Sequence, residues 1–202
     1  MPNHMSMVTG RPVYNNARCK GHNLTRNSIT SHTLQELTND AKIRSVFNIL
    51  DENENADGAN GFVKLALANT DQRIQSGKSV SAGFLFATLL WPDLLKNWKA
   101  NIAKGISNIP ALLDAMDDTI AAQSSGMTIQ RRFESDMREI WSMQPRFEKR
   151  VGRYPYRLIE SPRFRAGYDF MLLRCATGEQ DPAIGQWWTN FISTDPAGQE
   201  AL

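Results

Sequence analysis

Apolar residues recur along this chain at three- and four-residue intervals, the period that lines one face of an α-helix. Phe62, Leu65, Ala66, Asn69 and Arg73 keep that spacing, so a helix is predicted over Gly61 to Gln75, ended by Gly77. Val80 to Trp91 is apolar on most faces and predicts a central core helix stopped by Pro92. Leu94, Leu95, Trp98, Ile102 and Ile106 form a further stripe, and Pro110 opens a helix through Leu112, Leu113, Met116 and Ile120 to Gln123. From Ile129, Phe133, Met137, Ile140 and Trp141 line one side and leave Arg131, Arg132, Arg138 and Glu139 outward. Ser161-Pro162 and Asp181-Pro182 each combine a capping side chain with a first-turn proline. They predict a helix through Phe164, Tyr168, Met171 and Cys175, ended near Gly178, and a last one carrying Ile184, Trp187, Trp188 and Phe191. No stretch alternates as a strand would, so the expected fold is all-α, an irregular array of about seven to eight helices.

The two ends differ from this middle. Residues 1–38 are rich in Asn, Ser, Thr and Gly and show no period that buries a face, which predicts a disordered tail. Leu37, Ile43, Phe47 and Leu50 give a loose helical stripe, so one helical domain is expected over 39–194, with 195–202 frayed. Asp51 to Asn60 is a polar linker. Its Asp51, Asn53 and Asn55 imitate a calcium loop, but Ala56 stands where that loop needs Gly and Phe62 where it needs Glu.

Charge changes the picture. The formal net charge of +2 conceals eleven cations against six acids between Arg131 and Arg174, and ten of the eleven are arginine. Asp51 to Gln130 comes to −3 and Cys175 to Leu202 to −4. Arginine's planar fork of donors suits phosphate and flat rings. Arg146, Lys149, Arg150 and Arg153 fall at i, i+3, i+4 and i+7, which on a helix is one face of cations. Such a face repels itself in the free protein, and a polyanion turns the repulsion into affinity. The phosphate contacts expected from this are Arg131, Arg146, Lys149, Arg150, Arg153, Arg157, Arg163 and Arg165. For each the alternative is a structural role; Arg163, for instance, is within reach of Asp169 or Glu160. Tyr154 and Tyr156 are open equally to the core and to stacking on unpaired bases. Phe133, Trp141, Phe147, Phe164 and Trp188 are expected in the core.

Other chemistry is poorly represented. His4, His22 and His32 all lie in the tail, so no base stands ready for a Ser-His or Cys-His pair, and no Asp-x-Asp occurs for metal-assisted phosphoryl transfer. Glu52-Asn53-Glu54 and Glu134-Ser135-Asp136 are the nearest approximations. Asp114, Asp117 and Asp118 read as a solvated face. Gly77-Lys78-Ser79 lacks the upstream glycine of a phosphate loop and follows a helix instead of a strand. Cys19 and Cys175 are too few and too far apart for a disulfide framework or zinc site. No catalytic residue and no metal ligand is assigned. The longest apolar run, Gly83 to Trp91, is nine residues against roughly 20 for a bilayer span. No secretory pattern opens the chain, so a cytoplasmic protein is expected.

Several of these residues together resemble a known family. Arg138-Glu139-Ile140-Trp141, Gln144-Pro145-Arg146-Phe147, Arg150 through Arg153, Arg157-Leu158-Ile159-Glu160, and Pro162-Arg163-Phe164-Arg165-Ala166 with Tyr168-Asp169 are similar to the C-terminal part of bacterial poly(A) polymerases. These belong to the superfamily that includes the tRNA CCA-adding enzymes. Trp187-Trp188 and Phe191 match its closing helix, and weaker similarity runs back through Phe84-Leu85-Phe86-Ala87 and Leu90-Trp91-Pro92 to Thr70-Asp71. The resemblance implies the RNA-holding, helical part of an enzyme that adds AMP from ATP to RNA 3′ ends. It implies that ATP and magnesium are bound by a catalytic head outside this chain, so this chain would be inactive alone, with no cofactor of its own. The expected partners are an RNA 3′ region and a separate head; the alternative is a protein-interaction module that docks such a head.

Overall fold

A computed structural model describes residues 59–124 and 129–199. The expectations for the tail, the Leu37 to Leu50 stripe and most of the 51–60 linker fall outside them. Among the described residues every regular element is helical, with no strand. The helices are α1 (Ala59–Gln75), α2 (Ala82–Leu89), α3 (Trp91–Ala103), α4 (Asn108–Ser124), α5 (Arg131–Met143), α6 (Tyr154–Ile159), α7 (Phe164–Ala176), α8 (Pro182–Ser193) and a closing turn, α9 (Pro196–Gln199). A 3₁₀ segment, Gln144–Glu148, follows α5 directly. Where one helical domain is expected, the described residues divide into two compact units, which part between Arg138 and Glu139.

Three helices end in one device. After α1, α3 and α7 a glycine with positive φ (Gly77 at 73°, Gly105 at 90°, Gly178 at 74°) turns the chain. The next residue's N–H then returns to a carbonyl five residues back: Lys78 to Arg73, Ile106 to Asn101, Glu179 to Arg174. This is the Schellman cap, open to glycine because it has no Cβ to strain. It accounts for Gly77-Lys78-Ser79 without any phosphate.

In the first unit the helix predicted over Val80 to Trp91 is two helices. Leu90 closes α2 and opens α3, and Pro92 sits in the first turn of α3, where its missing N–H would have no partner anyway. Pro92 therefore starts a helix instead of stopping one. α3 and α4 run antiparallel. Asn97 Nδ2 donates to Thr119 Oγ1, Asn101 Nδ2 to the Ala111 carbonyl, and Trp98 Nε1 to the Asn108 carbonyl. Phe62, Trp91 and Trp98 form a chain of rings 6.3–6.4 Å apart. A second cluster joins Val80, Ala82, Leu85 and Phe133.

The second unit is built on Trp188, which is fully buried. Its ring meets Phe147 edge-on at 5.2 Å and packs on Phe164 and Phe191 at 5.8 Å. Burying each such ring contributes roughly 2–3 kcal/mol. Gly167 lets α7 lie close to Met143, since a Cβ there would stand 2.6 Å from the Met143 sulfur. α8 starts as its sequence predicts, with Asp181 Oδ1 accepting from the Ala183 N–H. α7 starts two residues later than Ser161-Pro162 suggests, with Arg163 at its N-cap. The end expected to fray instead carries α9, where Gln199 Nε2 donates to the Phe191 carbonyl at 2.7 Å.

Candidate nucleic-acid interface

The cationic helix face predicted from Arg146, Lys149, Arg150 and Arg153 does not form. Arg146 lies in the 3₁₀ segment, Lys149 is extended (φ −88°, ψ 99°), and Gly152 takes φ +63° before α6 begins. Tertiary bonding decides this. The Phe147 carbonyl, which a continuing helix would offer to Val151, accepts instead from Trp188 Nε1 at 2.8 Å. Pro155 has no N–H for the Val151 carbonyl. The cations therefore stand along a bend between two short helical pieces.

Their partners sort them. Arg146, Lys149, Arg153 and Arg157 are exposed and Arg150 half-buried. None of the five has a carboxylate within ion-pair distance among the described residues. Within those twelve positions Glu148 is the sole acid, so the local balance is five cations to one anion. Arg131, in the first unit at the start of α5, is likewise exposed and unpaired. Arg165 differs: it pairs with Asp169 one turn along α7 at 3.1 Å, although 71% exposed. So Asp169 belongs to Arg165, not to Arg163 as the sequence suggests. Arg163 is exposed but has an interaction within the chain. Arg138, outside the predicted contact set, bridges Asp117 at 2.7 Å and Glu134 at 3.2 Å.

The two tyrosines separate. Tyr156 belongs to the core: its ring meets Phe191 edge-on at 5.2 Å, and its hydroxyl is enclosed without a hydrogen-bond partner. Of the two places the sequence leaves open to it, core and base-stacking platform, Tyr156 takes the core. Tyr154 stands apart from the core cluster, half-buried, with Lys149 Nζ 4.8 Å from the centre of its ring. Phe133, Trp141, Phe147, Phe164 and Trp188 are buried as predicted.

Two residues carry more than their sequence suggested. Arg174 is 6% exposed and holds Glu179 at 2.6 Å, Gln144 Oε1 at 3.3 Å and Gln180 Oε1 at 3.1 Å. Gln144 in turn donates to the Ile140 and Gly167 carbonyls. The signal was present, since Arg174 continues the Phe164, Gly167, Met171 stripe of α7 and so points inward. Asp71, on α1, is 2% exposed, and neither carboxylate oxygen has a hydrogen-bond partner. Burial pushes its carboxyl up to about 6. Burial likewise raises the Cys175 thiol, which rests against Met171 and the Asp181 carbonyl. No three His, Cys, Asp or Glu side chains gather as a metal site among the described residues, and no described helix is long and apolar enough to cross a membrane.

An all-α fold whose second unit presents a run of unpaired arginines defines an arginine-rich helical domain. The family described as "Polymerase A arginine-rich C-terminus" matches residues 104–202. Poly(A) polymerase I of Salmonella typhi is 31% identical over 153 residues, 74% of this chain and 33% of the relative. Its namesake from Escherichia coli O157:H7 is 31% identical over 144 residues, 70% of this chain and 31% of the relative. That of Haemophilus influenzae (strain Rd) is 29% identical over 148 residues, 71% and 32%. The chain corresponds to a poly(A) polymerase C-terminal part, with the family's match confined to residues 104–202; it spans about a third of the length of the curated relatives it matches.

Proposed function

We propose that the chain holds RNA by its phosphate backbone, near the 3′ end, for adenylate addition carried out by a nucleotidyl-transferring head. The observation that carries this is the run Arg146, Lys149, Arg150, Arg153 and Arg157, five cations in twelve residues with no ion-pair partner among the described residues. Paired arginines such as Arg174 have satisfied their charge inside the protein. Unpaired ones gain when a polyanion releases its counterions on binding. Arg131 adds a sixth such cation in the first unit. The relatives are named for making poly(A), which supports RNA as the ligand. ATP and magnesium belong in this reading to the head, and no residue of this chain is assigned to them. The setting is the cytoplasm.

The test is the salt dependence of binding to a single-stranded RNA. Five phosphate contacts give a log–log slope of about −3.5, so raising salt from about 50 to about 200 mM weakens binding about a hundredfold. Replacing Arg146, Lys149, Arg150 and Arg153 together with Ala is expected to cut the slope by about 3 while leaving thermal unfolding in place. Binding that ignores salt, or is absent at low salt, overturns the reading.

A further inference from the structure

We infer that Tyr154 is the platform on which this surface receives one unpaired base, so that its ligand is a single strand gripped at a base as well as along its phosphates. The inference rests on the RNA reading above and adds to it a contact that phosphate attraction alone does not supply. Among the described aromatic residues of the second unit, Tyr154 alone is neither buried nor packed on the core cluster. Among the described residues its hydroxyl makes no hydrogen bond. Lys149 Nζ lies over one face of the ring at 4.8 Å, and no second ring or cation meets it among the described residues.

The bend makes this arrangement. Gly152, with φ +63° and nothing within 4 Å of where a Cβ would be, reverses the chain in the open and returns Tyr154 to Lys149 five residues behind it. Pro155, buried in the first turn of α6, holds the ring's own backbone in place. A tyrosine so fixed loses little freedom when a flat partner arrives, and Lys149 enriches the neighbourhood in positive charge on the face it occupies. With Lys149 over one face, at most one face is left for a base, which limits the site to a single nucleotide. Arg150 and Arg153 on one side in sequence and Arg157 on the other supply cations for the phosphates flanking it. A paired base in a duplex has its faces covered by its neighbours, so it cannot be received here.

The experiment uses the full chain and two probes, a single-stranded oligoadenylate and the same ribose-phosphate oligomer without bases. Tyr154→Ala and Tyr154→Leu are expected to weaken oligoadenylate binding about five- to a hundredfold, leave the base-less oligomer unaffected, and leave the salt slope unchanged. Tyr154→Phe, which keeps the ring, stays within about twofold. Because Leu preserves bulk without a stacking plane, its loss separates stacking from packing. Equal losses on both oligomers, or none on oligoadenylate while the unaltered chain binds it, overturn the inference alone. If the unaltered chain binds neither oligomer at low salt, the RNA reading falls and takes this inference with it.

Discussion

At the scale of single residues, burial and charge conflict most sharply at Asp71. Ionised, its carboxylate is enclosed in α1 with no donor, so the folded chain keeps a proton that the unfolded chain gives up. Its folded pKa of about 6 lies above the ordinary 3.8. Between those values the native state binds more protons, so this residue's contribution to stability falls as pH rises from about 4 to about 6 and stays low above. The whole effect is roughly 2–3 kcal/mol at most. Asp71→Asn, which cannot ionise, is expected to be more stable than the unaltered chain by about 1–2 kcal/mol at neutral pH and to lose that advantage near pH 4. Urea unfolding of both proteins across this range checks it; a difference that does not change with pH removes the buried carboxylate from the account. Nothing in the sequence marked this residue as buried: Thr70-Asp71 lies at the limit of the family resemblance and otherwise reads as an ordinary helical pair until its surroundings are known.

At the scale of elements, contact between helices depends on small residues whose spacing says little. Gly83, in the first turn of α2, faces Asp136 on α5, and a Cβ there would stand 2.6 Å from the Asp136 Cβ. Ser81 makes no capping bond at this helix start, so the acid of α5 also lies where α2's first turn favours negative charge. Gly83→Ala is expected to cost about 1–3 kcal/mol despite its better helix propensity, read as a lowered Tm, whereas a gain in Tm would show that the two helices part freely. What the sequence did display was the buried face of most helices and some of their stops, though not the break at Leu90. Gly77, Gly105 and Gly178 cap as local chemistry demands, and Asp181-Pro182 starts α8 where it stands. Local rules failed where a distant partner intervened. The 146–153 spacing fits a helix, yet Trp188, forty-one residues beyond Phe147, takes the carbonyl that the helix needed. Gly152 and Pro155 were the visible warning. The unpaired cations were legible as composition, while the division between Tyr154 and Tyr156 needed the core to be known.

For the molecule as a whole, arginine has two uses, and the boundary between the units makes them testable together. Arg174 holds the end of α7, Gln144 and the following turn in one buried network within Glu139–Leu202. The cations of the bend, a few residues downstream of that same Gln144, are left for a ligand. Truncating a buried, paired arginine leaves its acceptors enclosed without a donor, which costs about 3–5 kcal/mol. Arg174→Ala is therefore expected to destabilise the second unit by that amount, with amide protection lost across α7 and α8 in native-state hydrogen exchange while α3 and α4 keep theirs. Replacing Glu179 with Gln as well should recover part of the loss, since the stranded charge is then gone. Protection falling equally in α3 and α4 would mean that the network supports the whole chain and not one unit. Because the altered residue carries no solvent-facing charge, RNA binding measured where the second unit stays folded should keep its salt slope, and a reduced slope would move Arg174 from the scaffold to the interface.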